Sequence, residues 1–122
     1  MVVTNALGVA FTATLLAASD AGVTFVFPED GATNALAWAK LSPASRDAVI
    51  AATQFAPVPP ELAATFRQAK GDLARLADLV ADGRLQPDEA ARRRAGLVRA
   101  FRKACGKIGL ADAQTELLLK RL

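Results

Sequence analysis

Apolar residues recur along this chain with two different periods. Up to residue 42 they alternate: Val9, Phe11, Ala13 and Leu15 fall on one side and Thr12 and Thr14 on the other, the pattern of a half-buried strand. The turn residues Ser19-Asp-Ala-Gly22 follow, and then Val23-Thr-Phe-Val-Phe27, whose β-branched and aromatic residues predict a second strand with Val23, Phe25 and Phe27 facing the core. Pro28-Glu-Asp-Gly31 is a further turn, with a glycine free to take positive φ. It leads into a third strand over residues 32–41 with Leu36 and Trp38 on one face. Ser42-Pro43 starts a helix, Ser as N-cap and Pro at the first helical position. The helix Pro43–Thr53 is expected to bury Val49 and Ile50 and expose Arg46 and Asp47.

Phe55-Ala-Pro-Val-Pro-Pro60 cannot extend that helix, because proline removes donors and restricts the residue before it; it predicts a stiff, extended connector. Beyond it the period becomes helical. Leu62, Phe66, Ala69, Leu73, Leu76 and Val80 form one stripe, Asp82-Gly83 ends the helix, and Pro87-Asp-Glu89 opens the next with carboxylates at its positive end. Leu97, Phe101, Ala104 and Ile108 form the facing stripe, with Val98 and Cys105 beside it. A short helix, Asp112–Leu122, follows Gly109 and carries Leu117, Leu118 and Leu122.

These elements predict an α+β protein: a small β-meander or partial barrel plus helix (residues 1–54), a Pro-rich connector (55–60), and an antiparallel helical hairpin with a short terminal helix (61–122). The length of 122 residues suits a small globular chain, and charge divides with the architecture: residues 1–60 carry −2 and residues 61–122 carry +5. The apolar run Leu7–Ala18 imitates a signal-peptide core, yet no basic residue precedes it and it is too short to span a bilayer, so a strand is favoured. No transmembrane segment is expected. A cytoplasmic location is favoured, with an exported form lacking its signal peptide as the alternative.

Composition excludes much chemistry. With no His and a single Cys, the chain cannot build a His-based triad, a zinc finger, a His-ligated haem or an intramolecular disulfide. Its glycines form neither a phosphate-cradling loop nor a dinucleotide fingerprint, and its carboxylates read as turns and helix starts. No catalytic residue, metal site or cofactor is predicted. Cys105 reads as a buried small hydrophobe, and Trp38 as core. The one concentrated signal is basic: Arg92, Arg93, Arg94, Arg99, Arg102, Lys103 and Lys107, of which 92, 99, 103 and 107 share a helix face able to meet phosphates, anionic lipid or an acidic protein. Exposed aromatics for base stacking are missing.

Two local resemblances accompany this reading. Gly8, Phe11-Thr-Ala-Thr-Leu15, Gly22-Val-Thr-Phe-Val-Phe27, Asp30-Gly31 and Leu36-Ala-Trp-Ala-Lys-Leu-Ser42, within residues 4–49, resemble the Sla-homology small barrel, a Src-homology-3-like module, although that family's Arg/Trp-rich opening strand is missing. Residues 73–101, with Asp82-Gly83, Leu85 and Gln86-Pro-Asp-Glu89, look like a short helical-hairpin module found at bacterial C-termini, which implies oligomerisation or anchoring.

The expectation is therefore a non-enzymatic protein–protein interaction or assembly module, self-associating as a homodimer through Leu62, Phe66, Leu73, Leu97, Phe101 and Leu118. The alternative is a nucleic-acid-associated bacterial or phage factor using the basic helix 92–107.

Overall fold

The computed structural model describes residues 1–122. It is an α+β protein with five strands in two small antiparallel sheets, followed by four α-helices. The chain divides into two compact units, Met1–Pro57 and Val58–Leu122.

In the first unit, β1 (Val2–Thr4) pairs with β2 (Ala10–Thr12), while β3 (Thr14–Ser19), β4 (Gly22–Val26) and β5 (Thr33–Leu36) form a three-stranded sheet in that order. The single strand expected through residues 9–15 is thus two. At Ala13 the chain changes partner: its carbonyl accepts from the Met1 ammonium at 2.7 Å and its N–H donates to the Met1 carbonyl at 2.9 Å, whereas Thr14 already faces Val26. The alternation survives the change, since Ala13 is buried, but Val9 is 58% exposed, because it lies in the loop before β2 rather than in a strand. A bulge follows: Leu15 faces Phe25 and Ala17 faces Thr24, so Leu16 is left over and turns outward. Val23 and Phe25 fill the core as expected. Phe27 does not; it is half-buried at the strand end, its ring 5.5 Å from that of Phe11.

The third strand is shorter than its sequence pattern. It ends at Leu36, and Trp38–Lys40 make a 3-10 turn. Trp38 is nevertheless buried, its indole N–H donating to the Ser19 carbonyl at 2.7 Å, so the core position is met by a turn instead of a strand face. The chain then returns to β1. Ala6 donates to the Lys40 carbonyl at 2.8 Å, Ser42 donates to the Thr4 carbonyl at 2.9 Å, and Asn5 bridges Leu41. These bonds link the two sheets into a ring of pairings, leaving fewer open strand edges.

Helix α1 spans Pro43–Thr53 with Val49 and Ile50 buried, and the Ser42 hydroxyl accepts from Ser45 N–H at 3.2 Å. Ser45 is itself buried and accepts from Thr4 N–H at 2.7 Å, which ties the helix to β1. In the connector, Ala56, Pro57 and Pro59 are buried.

The second unit opens with a 3-10 turn, Pro60–Leu62, and contains α2 (Ala63–Ala81), α3 (Pro87–Lys107) and α4 (Asp112–Arg121). Leu62, Phe66, Ala69, Leu73, Phe101, Cys105 and Leu118 form its core. Several stripe positions depart from expectation: Leu76, Val80, Leu97 and Ala104 stay half-buried, and Ile108 is 40% exposed, because α3 ends at Lys107 and Ile108 is its C-cap. No helix is long and apolar enough to cross a membrane.

Candidate functional site

The helical unit owes its hairpin to local chemistry at each helix end. After α2, Gly83 takes φ 72°, its N–H reaches the Val80 carbonyl at 3.1 Å, and Arg84 N–H reaches that of Leu79 at 2.9 Å, which closes the last turn. Pro87 then starts α3, with Asp88 and Glu89 in its first turn, where carboxylates complement the helix dipole. The same closure recurs at Gly109 before α4, with Leu110 N–H on the Cys105 carbonyl at 3.1 Å.

Three of the seven residues of the basic run have carboxylate partners within the chain. Arg92 donates to the Glu89 carboxylate at 2.6 Å and Arg93 donates to it at 3.2 Å; these hydrogen bonds hold the Glu89 carboxyl below its ordinary range. Arg102 pairs with Glu116 and so joins α3 to α4. Such exposed pairs contribute little to stability but do occupy the guanidinium donors. Arg99, Lys103 and Lys107 remain in solvent without a salt bridge. Arg94 is different. It lies about 200° around the helix from Arg92, on the side of Phe101 and Cys105.

There it borders a groove of about 400 Å³ whose walls include Leu73, Leu76 and Val80 of α2 and Pro87 and Ala90 of α3. On this distal, loop-proximal half of the hairpin no side chain beyond Leu73 on α2, or before Phe101 on α3, is fully buried. Sequence reading counted Arg94 among the polyanion-binding candidates, although the face it defined by the 100° step, Arg92, Arg99, Lys103 and Lys107, leaves Arg94 out.

Of the six expected interface residues, Leu62, Phe66, Leu73, Phe101 and Leu118 are buried inside the chain, and Leu97 alone is half-buried. The Phe66 and Phe101 rings meet at 6.0 Å, and the Lys70 ammonium and Arg121 guanidinium lie 5.9 and 5.2 Å from the Phe66 centroid. These residues hold the hairpin together and offer little surface to another molecule.

Cys105 is wholly buried beneath α4. Burial pushes its thiol pKa up, opposed in part by the Thr115 hydroxyl. The folded unit therefore favours the neutral thiol: this contribution is fully present below the ordinary thiol value of about 8.5 and is lost as pH rises through the raised folded value, since unfolded chains ionise first. Iodoacetamide at pH 7.5 is expected to alkylate the native thiol slower than the denaturant-unfolded one by on the order of a hundredfold, read by mass spectrometry. Equal rates would show an accessible thiol.

The first unit offers a concavity against Phe11 and Phe27, rimmed by Glu29 and Asp30. Its Asp30 carboxylate accepts the Ala32 N–H at 2.9 Å and so serves the turn. Comparison with protein-family models, curated proteins and solved structures finds no match to this chain.

Proposed function

We propose that this protein is a non-enzymatic protein-interaction module whose helical unit is the docking element. The observation that carries the reading is the apolar stripe of α2, which continues through Leu76 and Val80 into an open groove beyond the part of the hairpin that α4 covers. Two helices alone cannot enclose such a stripe. Self-association, the form favoured by the sequence, is left with this groove as its surface, because five of the six residues expected at the interface are core. Nucleic-acid binding by the basic helix is supported less, because Glu89 and Glu116 occupy Arg92, Arg93 and Arg102, leaving Arg94, which borders the groove, and Arg99, Lys103 and Lys107 for it.

Leu76→Asp tests the reading. A docking face tolerates it: the melting temperature is expected to stay within a few degrees of the parent, since a half-exposed side chain carries little packing energy. A dimer mass by light scattering that falls to monomer in the variant would support self-association. A collapse in stability comparable to losing a core phenylalanine would show that the groove is packed interior, and would sink the proposal.

A further inference from the structure

The chain itself shows how one half of the hairpin is covered. On the face bearing Phe66, Arg102 and Cys105, α4 buries Leu118, places Thr115 beside Cys105, and sets Glu116 on Arg102. The groove is the distal continuation of that same face. Arg94 precedes Cys105, and Ala91 precedes Arg102, by eleven residues, about three full turns; Leu73 and Val80 repeat Phe66 at heptad steps. The distal half thus offers an apolar trough with a guanidinium beside it, at the turn equivalent to Cys105 rather than to Arg102, but without a third helix and without a carboxylate on Arg94.

Charge decides among occupants. A second copy laid on the groove would bring together two units that each carry +5. We infer that the distal groove binds an acidic amphipathic helix of a different protein, with apolar residues at three- and four-residue spacing in the trough and a Glu or Asp on Arg94, as α4 sets Glu116 on Arg102. This rests on the reading of the hairpin as a docking unit. The trough spans one heptad on each wall, so two to three turns of helix fill it, about the length of the ten-residue α4.

The test uses the full chain and two fluorescein-labelled helical peptides of about four turns, identical in Leu spacing, one flanked by Glu and the other by Lys. Fluorescence anisotropy at low salt is expected to show saturable binding of the Glu peptide and about tenfold or weaker binding of the Lys peptide. Arg94→Glu should reverse that order, Arg94→Gln should level it, and Leu76→Asp should abolish both, with circular dichroism confirming that each variant is folded. Equal binding of both peptides to the parent would overturn the acidic specificity while leaving the docking unit standing. No binding of either peptide at millimolar concentration would overturn the helix site. A dimer of the parent dissociated by Leu76→Asp would assign the groove to a second copy and overturn the inference of a different partner.

Discussion

Phe101→Ala is expected to unfold the helical unit near room temperature or bring it close to that point. The ring is fully buried against Phe66, and deleting a buried phenylalanine side chain costs about 3–5 kcal/mol, a large share of the roughly 5–15 kcal/mol that holds a domain folded. The chain carries its own reporters for where the damage goes. Trp38, the sole tryptophan, sits in the first unit with its indole on the Ser19 carbonyl, and Cys105, the sole cysteine, sits in the second. The helical signal at 222 nm should melt earlier and the thiol should become alkylatable, while the Trp38 fluorescence transition stays in place. A tryptophan transition that moves by the same amount would show that the two units unfold as one.

Gly22→Ala is expected to be the most damaging single-atom change in the first unit. A Cβ at Gly22 would land on the backbone carbonyl of Leu36, 2.9 Å from its carbonyl carbon, and backbone cannot swing aside as a side chain can. Gly22 closes the β3–β4 turn and Leu36 pairs with Val23, so relief requires β5 to part from β4 where the chain runs on to Trp38. A loss of about 3 kcal/mol is expected, read as a lowered midpoint of the Trp38 fluorescence transition in urea. The contrasting control is Gly71→Ala in α2, where the new methyl meets nothing and helix propensity favours Ala by about 1 kcal/mol. If the two substitutions have the same effect, the close approach at Leu36 is not what determines the residue at 22.

Much of the fold was legible in the residues because it depends on chemistry within a few positions of the chain. Ser42-Pro43 starts α1, Gly83 and Gly109 take the left-handed turn that closes a helix, Pro87 starts α3, and Val23-Thr-Phe-Val26 runs as a strand that ends with one residue left before Pro28. Each is a matter of which φ a residue tolerates, which donor it lacks, or which short side chain reaches a neighbouring N–H. The period-seven stripe likewise named the core of the hairpin, because the helical repeat alone puts Phe66, Leu73, Phe101 and Cys105 on facing sides.

What the residues could not show is decided by partners far away in sequence. The exchange of strand partners at Ala13 depends on Met1 and Val26; the outward turn of Leu16 depends on register against β4; the burial of Trp38 depends on a carbonyl at Ser19. The candidate site has the same origin. The helical step sets Arg92, Arg99, Lys103 and Lys107 on one face, but only the folded unit shows Arg102 taken by Glu116 on α4 and Arg94 left beside an apolar trough. Sequence by itself determined that an apolar stripe runs the length of α2. Where that stripe stops being covered was decided by the length of α4 and its packing on the hairpin, because a short third helix can shield only the half of the hairpin it reaches.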